Sequence, residues 1–225
     1  MKSSKSKESR LKTFSKKPKK ALWTLAIPIL AGMSIQTIYT IVDMIYIGRL
    51  GGEAITAVAF NMPLLFFVLG LSMGIGSGVT ASIARFIGAS DKVNADNSAE
   101  HALLMASVIS VIMVIFGLLF GKQMLVVLGA TAELINMAWS YLRIITFGLF
   151  FMVFSGFFRS ILAGEGDMKT PMLISAIGTI LNIILDPIFI FVLGFGVPGA
   201  AMATVISQVV VFSIFIYLFL IIQRK

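Results

Sequence analysis

The amino-acid sequence predicts an all-α membrane protein, built as a bundle of six transmembrane helices. The first observation behind this prediction is composition. Of the 225 residues, 58% are hydrophobic and only 12% are charged, about half the charged share of ordinary soluble domains, and the mean hydropathy is +1.00. The second observation is that the apolar residues are gathered into six long stretches. A chain with so few charges cannot cover a water-facing surface, so lipid must surround most of it.

Each apolar stretch is long enough to cross a bilayer, which takes about 20 residues in a helix. Strands of a membrane barrel are far shorter and alternate in polarity, so helices are the expected form. We expect a basic cytoplasmic tail at 1–20, the helical bundle at 21–222 and the start of a cytoplasmic linker at 223–225. The expected spans are 21–47, 54–84, 99–120, 133–162, 170–193 and 200–222.

The positive charges are concentrated in the tail and predict the orientation of the bundle. Nine of the 18 Lys and Arg residues lie within residues 1–20, and they account for most of the net charge of +8. With this tail on the cytoplasmic side, 15 Lys and Arg residues fall on the cytoplasmic face of the membrane and 3 on the opposite face. The positive-inside rule then predicts two cytoplasmic termini in a cell-membrane protein, without a nucleic-acid partner. Beyond the tail, the inner positives are Arg85, Lys92, Arg159, Lys169, Arg224 and Lys225, and the outer ones are Arg49, Lys122 and Arg143.

The scarcity of reactive residue types excludes several kinds of chemistry. The sequence has no Cys and a single His, His101, so disulfides, thiolate catalysis and Cys-ligated metals are excluded, and no histidine metal site can form. We expect no enzyme, no catalytic residues and no cofactor. The Gly-Glu-Gly-Asp sequence at 164–167 fits the G-x-G-D pattern of intramembrane aspartyl proteases. Because it falls in a predicted cytoplasmic loop, we reject protease chemistry.

Two aspartates fall inside predicted spans, where an ionisable side chain is costly and marks a candidate functional site. Asp186 lies 17 residues beyond Lys169, about 25 Å along a helix and therefore in the outer half of the membrane. Asp43 lies 22 residues beyond Ala21, about 33 Å by the same rise, so the two can share a level within about two helical turns. Alternatively, Asp43 simply faces water at the outer interface.

Polar residues recur at helical spacing along three of the predicted spans. On each helix they form a stripe on one face, and three such stripes predict a shared polar cavity. Ordinary interhelical packing is the alternative for the small residues, whereas Asn182 and Asp186, four residues apart, favour the cavity. The stripes contain Gly32, Gln36, Tyr39, Thr40 and Asp43 in the first span, Ser175, Gly178, Thr179, Asn182 and Asp186 in the fifth, and Ala200, Thr204, Ser207 and Gln208 in the sixth.

Two prolines add helix-bend positions beside these stripes. Pro187 has no N–H to donate to the Ile183 carbonyl, which is thereby freed close to Asp186. A carboxylate, an amide oxygen and a free carbonyl are suitable ligands for a small monovalent cation; alternatively, the carboxylate carries a proton. Pro28 frees the Thr24 carbonyl in the same way and permits a bend in the first span. One hypothesis is a bend that responds to occupancy of the aspartates, and the other is a kink with no switching role.

Glycines recur at every fourth position of the second span. Gly70, Gly74 and Gly78 fall on one face of the expected helix, with Gly76 and Ala81 nearby. Small residues at this spacing let two helix backbones approach closely. We therefore predict that this face packs tightly against a neighbouring helix of the bundle.

Four stretches of the sequence together resemble the multidrug and toxic compound extrusion (MATE) transporters. They occur in family order across all six spans, and the ordered set is far more specific than any one of them. The stretches are DMIYIGRLG at 43–51, MGIGSG at 73–78 continuing to RFIGA at 85–89, RSILAGEGDMKTP at 159–171, and LNIILDP at 181–187 with GVPGAAMAT at 196–204.

The resemblance implies a secondary antiporter that exports organic, often cationic, drugs or toxic compounds while Na⁺ or H⁺ enters. Such a protein has no resident cofactor and no metal beyond a possible transported Na⁺, and its other contacts are with membrane lipids. By correspondence with the family, Asp43, Asn182 and Asp186 belong to a cation- or proton-responsive network, which Thr204 joins through its hydroxyl. The matches to cavity-lining positions and to a kinkable proline of the first span are Gln36, Tyr39 and Pro28.

The length of the chain departs from the family pattern. MATE transporters have twelve spans in two six-span lobes, and this sequence stops where the interlobe linker is expected to begin. We therefore expect the N-terminal lobe, as a fragment, as one of two associating copies, or with a separate partner that supplies the second lobe.

Two alternatives to drug export remain open at this stage. A flippase for lipid-linked oligosaccharides or another amphiphile needs several positive charges in its cavity, and the span-embedded positives here are few and near the ends, which favours cationic or neutral cargo. A non-transporting membrane scaffold needs no buried carboxylates, so Asp43 and Asp186 weigh against it, although the half-length chain weighs for it.

Overall fold

The computed structural model describes residues 18–223, so most of the predicted basic tail, together with Arg224 and Lys225, lies outside the described residues. Within this range the chain is helical almost throughout. The elements are α1 (Pro18–Gly48), α2 (Gly52–Ala59), α3 (Met62–Gly88), α4 (Lys92–Val127), α5 (Ala132–Gly164), α6 (Lys169–Pro187), a π-helical turn (Ile188–Val192) and α7 (Val197–Gln223).

Six segments of the described range are long and apolar enough to cross a membrane, which confirms the predicted fold class. The second span combines α2 and α3, and the fifth combines α6 with the π-helical turn. The other four spans are formed by α1, α4, α5 and α7. The segments are Ala26–Gly48, Gly52–Gly88, Lys92–Val127, Ala132–Gly164, Lys169–Val192 and Val197–Ile221.

The third span is much longer than the predicted 99–120, and the predicted loop at 85–98 is wrong. Only residues 89–91 separate α3 from α4. Asp91 caps α4, because its carboxylate accepts the Asn94 side-chain N–H at 2.6 Å and the Asn94 backbone N–H at 3.1 Å. These bonds stabilise the charged form and lower the pKa of Asp91. The capped polar turns therefore continue the helix outside the apolar region, where hydropathy alone predicts a loop.

The second span is interrupted at residues 60–61, a break that the apolar pattern does not reveal. Pro63 follows the break and has no N–H for the helix ladder. Asn61 is fully buried and donates from Nδ2 to the Ala57 carbonyl at 2.8 Å and to the Ala138 carbonyl at 3.3 Å. This side chain satisfies backbone oxygens that lipid cannot, and so stabilises the interruption against α5.

Helix α5 forms the centre of the bundle. It packs against α2, α3, α4 and α7, and its Val153 and Phe157 side chains are completely buried in the main apolar core. Helix α6 packs mainly against α7 and α1. Helix α1 in turn packs mainly against α6 and has little contact with the other helices. The first span is therefore the most weakly packed of the six, and the groove between α1, α5, α6 and α7 is the position where a cavity can open.

The predicted close packing of α3 is confirmed at Gly76 but is wrong for Gly70, Gly74 and Gly78. A Cβ atom at any of these three positions would meet no atom within 4 Å. Helix α3 instead packs through its neighbouring face, where a Cβ on Gly76 would lie 2.5 Å from Ser160 Oγ. Spacing predicts which residues share a face, but it does not say which face the neighbouring helix covers.

The C-terminal end of α6 is joined tightly to the start of α7. Beyond Pro187 the helix widens into the π-helical turn, in which the Leu193 N–H donates to the Ile188 carbonyl at 2.8 Å. The first turn of α7 lies directly against this turn. A Cβ on Gly199 would be 2.6 Å from the Phe189 carbonyl oxygen, so only glycine permits this approach of two backbones.

We expect Gly199→Ala to destabilise the protein by about 1–3 kcal/mol, because the added methyl group must push the π-helical turn away from α7. Gly70→Ala is the matched control, since a Cβ there meets nothing and alanine is the better helix former. Reversible unfolding in detergent measures both. Equal stability of the two variants would contradict the tight contact.

Candidate functional site

The three polar stripes meet at one open cavity between α1, α5, α6 and α7. Its volume is about 470 Å³, including the space at its mouth. Gln36 and Tyr39 reach it from α1, while Asn182 on α6 and Thr204 on α7 lie opposite each other. The remaining lining residues are Ser155 and Arg159 from α5, Ser175, Gly178 and Thr179 from α6, and Ser207, Gln208 and Val211 from α7.

The two span aspartates lie together at one end of this cavity. The carboxyl groups of Asp43 and Asp186 are within hydrogen-bonding reach of each other. Asp186 has no exposed surface, and neither aspartate is among the cavity-lining residues. Asp186 stands one helical turn beyond Asn182, so the acid pair forms a layer behind the cavity wall.

Asn182 connects the acid pair to the cavity. In the amide orientation that satisfies both of its ends, Nδ2 donates to Asp186 Oδ2 at 2.9 Å and Oδ1 accepts the Thr204 backbone N–H at 3.1 Å. In the opposite orientation, Nδ2 lies 3.4 Å from Thr204 Oγ1. The Thr204 hydroxyl is in turn 3.5 Å from the Tyr39 hydroxyl. A continuous polar chain thus runs from the acid pair to a side chain that lines the cavity.

The acid pair offers an oxygen atom that a proton or a cation can bind. Asp43 Oδ1 is buried and has no hydrogen-bond partner among the described residues. Two carboxylates this close repel each other strongly in a medium of low polarity, and either a shared proton or a bound cation removes the repulsion. Tyr141, which is 5% exposed, lies within electrostatic reach of both carboxyls. Sequence reasoning missed Tyr141, because no polar stripe marks the fourth span.

Arg159 lines the cavity, which the sequence did not indicate. It lies inside α5, five residues before the helix ends, where the sequence predicts a positive charge near the end of the fourth span. Ser155 lies one turn earlier on the same helix and lines the cavity too. The four-residue spacing of Ser155 and Arg159 was the available signal for a fourth polar face.

The two predicted bend prolines occupy different settings. Pro28 is buried within α1, which continues unbroken on either side of it. Pro187 is the last residue of α6 and directly precedes the π-helical turn. Irregular turns of this kind are frequent beside functional sites, and this one adjoins Asp186.

The Gly-Glu-Gly-Asp loop at 164–167 has a structural explanation. Asp167 Oδ1 accepts the backbone N–H groups of Lys169 and Thr170, both at 3.2 Å. Its Oδ2 accepts the Thr170 hydroxyl at 2.9 Å. These bonds satisfy the free N–H groups in the first turn of α6, so Asp167 caps the helix that carries Asn182 and Asp186.

Comparison with known proteins agrees with this architecture. The family model described as MatE matches residues 28–188. The multidrug export protein MepA of Staphylococcus aureus is 31% identical over 220 residues, covering 95% of this chain and 48% of MepA. The FAD transporter of Shewanella oneidensis is 28% identical over 209 residues, which cover 91% of this chain and 46% of that transporter.

A solved structure described as the outward-facing conformation of a multidrug resistance MATE family transporter of the MOP superfamily is 40% identical. It superposes with a TM-score of 0.90 over 96% of this chain and 48% of that one. The chain thus spans about half the length of the relatives it matches.

The fold and the matches define a multi-pass membrane protein of a transporter class, not an enzyme. The chain belongs to the MATE family, and its six spans correspond to one half of the MATE fold.

We expect Asn182→Leu to lower stability by about 1–3 kcal/mol, because it leaves the buried Asp186 carboxyl without its amide donor. Asn97→Leu makes the same chemical change on the exposed surface of α4 and serves as the control. Unfolding in detergent at fixed pH compares the two variants. A stability loss no larger than that of the control would contradict the hydrogen-bonded bridge.

Proposed function

We propose that this chain is the ion-coupling N-terminal half of a secondary transporter that exports organic compounds in exchange for Na⁺ or H⁺. The observation that supports this function is the polar chain from the Asp43–Asp186 pair through Asn182 and Thr204 to Tyr39. A buried acid pair in a membrane span lowers the stability of the protein. A role in ion coupling accounts for the presence of such a pair. Both termini are cytoplasmic in this proposal, as the distribution of positive charges predicts.

The acid pair and the cavity affect each other through Asn182 and Thr204. When a cation or proton occupies the pair, the two carboxyls no longer repel and α1 is drawn towards α6. Helix α1 is the most weakly packed span and contains Pro28, so it can bend while the rest of the bundle stays in place. Because Gln36 and Tyr39 lie on α1, its movement changes the cavity and releases the cargo.

A second six-span bundle completes the cavity in this proposal. Alternating access moves one repeat or bundle against another around a central site, and the described helices enclose the site from one side only. A C-terminal lobe, a second copy of this chain or a separate partner can supply the other wall. The relatives are named for multidrug export in one case and for FAD in another, so the cargo is an organic compound in either case.

We expect Asp186→Asn to abolish ion-driven efflux by the transporter that contains this chain, because an amide cannot release a proton or neutralise Na⁺. Efflux of a fluorescent dye from host cells without their own drug exporters measures the effect. Asp96→Asn is the control, since Asp96 is an exposed acid 4.0 Å from Lys92. Undiminished efflux by Asp186→Asn would remove Asp186 from the coupling site.

We also expect the coupling ion to stabilise the purified chain against unfolding. An ion at 100 times its dissociation constant adds about 2.7 kcal/mol to the folded state. Na⁺ titrated against K⁺ at constant ionic strength tests one ion, and a series of pH values without Na⁺ tests the other. Asp186→Asn should remove the response, whichever ion produces it. A wild-type chain that responds to neither ion would contradict the proposal.

A further inference from the structure

The end of the cavity that lies away from the acid pair contains an uncompensated positive charge. Arg159 lines the cavity from within the fourth span. Among the described residues it has no hydrogen bond and no ion-pair partner. A guanidinium inside a membrane span is normally paired or hydrogen-bonded, because leaving it unpaired costs several kcal/mol. The cavity is thus built around a charge that the described residues do not neutralise.

Two buried hydroxyl groups of the same cavity also lack partners. Ser155 and Ser207 are only 2% and 5% exposed, and both line the same cavity. Neither Oγ has a hydrogen-bond partner among the described residues. Nearly all buried polar atoms in folded proteins are hydrogen-bonded, so these two hydroxyls are available to donate to a ligand in the cavity. This observation is independent of Arg159.

The chemistry of these groups is that of an anion site. A guanidinium offers a fork of N–H donors that matches two oxygens of a carboxylate or phosphate, and each serine hydroxyl can add one donated hydrogen bond. The lining residues include no carboxylate, because Asp43 and Asp186 lie behind the wall. No acid of the cavity lining therefore competes with a ligand for Arg159.

The same end of the cavity has an apolar floor. Val211 lines the cavity and packs into a buried cluster with Phe158, Leu162, Ile174 and Phe215. The rings of Phe158 and Phe215 are stacked with their centroids 5.6 Å apart. Such a floor provides a surface for an apolar part of the same ligand, while Arg159 itself is exposed and accessible to it.

We propose that Arg159 and Ser155 bind an anionic oxygen group, a carboxylate or a phosphate, of an amphiphilic organic cargo, and that Ser207, which lies nearer Thr204, contacts the same cargo. The proposal rests on the proposed transport function and names its substrate class: anionic or zwitterionic compounds in place of the cationic or neutral ones that the sequence favoured. Arg159 is the residue that determines this specificity. Its fork holds the anionic group at the inner end of the cavity while the remainder of the cargo extends towards Gln36 and Tyr39.

A matched pair of fluorescent probes tests the charge preference. 1-Pyrenebutyrate and its carboxamide differ only in the anionic group, and their binding to the purified chain in a neutral detergent gives two dissociation constants. We expect the carboxylate to bind at least about tenfold more tightly, as a charged hydrogen bond of more than about 1.4 kcal/mol requires. Equal affinity of the two probes would overturn the proposal.

Two arginine variants localise the preference. Arg159→Gln should reduce the ratio of the two dissociation constants to about one, whereas Arg143→Gln should keep it, since Arg143 is an exposed residue of the same helix away from the cavity. A preference that persists in Arg159→Gln would overturn the assignment.

Ser155→Ala combined with Ser207→Ala keeps the guanidinium and gives a second measurement should Arg159→Gln not fold. It should weaken carboxylate binding severalfold and leave carboxamide binding unchanged, and an unaltered ratio would contradict the role of the hydroxyls.

A lipid phosphate and a soluble cargo offer the same chemistry, and nanodiscs separate them. One result is that anionic phosphatidylglycerol displaces the carboxylate probe from the wild-type chain and from Arg143→Gln but has no effect on Arg159→Gln. That result confirms the site, with a lipid headgroup as its occupant. If phosphatidylglycerol and phosphatidylcholine discs give the same affinity, the site is confirmed for soluble cargo. Failure of the anion-site proposal can be told apart from failure of the ion-coupling proposal. A chain that discriminates between the two probes but does not respond to Na⁺ or pH supports the anion site and contradicts only ion coupling.

Discussion

The buried carboxyl of Asp186 is the constraint on which the arrangement of α1, α6 and α7 depends. With no exposed surface in a membrane span, it has neither water nor lipid headgroups to solvate it and must be satisfied by the protein. Asn182 supplies an amide donor from the preceding turn, and α7 holds that amide through the backbone N–H of Thr204. Asp43 brings α1 to the same point. One costly side chain thus joins α1, α6 and α7.

This arrangement places a sensitive electrostatic contact next to the least constrained helix. The central α5 is packed on several sides, whereas α1 rests mainly on α6. Any change in charge at the acid pair therefore acts on the element that costs least to move. The same contact lies one residue layer from the cavity, so the coupling that we propose between ion occupancy and cavity shape needs no long pathway.

The residues on α1, α6 and α7 could be predicted from the sequence because each helix has a polar stripe with a clear period. Gln36, Tyr39, Asn182 and Thr204 all reach the cavity for this reason. Arg159 could not be placed in the same way. Helix α5 is surrounded by other helices, so its apolar residues are not confined to one face, and a single arginine near its end resembles an ordinary boundary charge. Nor could spacing say that the Gly70–Gly78 face lacks a neighbour, since that depends on which helices pack together.

Family membership fixes the fold and the transporter class, but the cargo depends on individual side chains of the cavity. The sequence favoured cationic or neutral cargo because the positives within the spans are few and near the span ends. Arg159 is one of these, and once it lies in the cavity wall with two hydroxyls that have no partners, the local charge has the opposite implication. The two halves of the site then have separate tasks, since carboxyls behind the wall suit a cation or proton and donors on the wall suit an anion. A cavity with this separation can bind an anionic cargo without that cargo competing for the coupling ion.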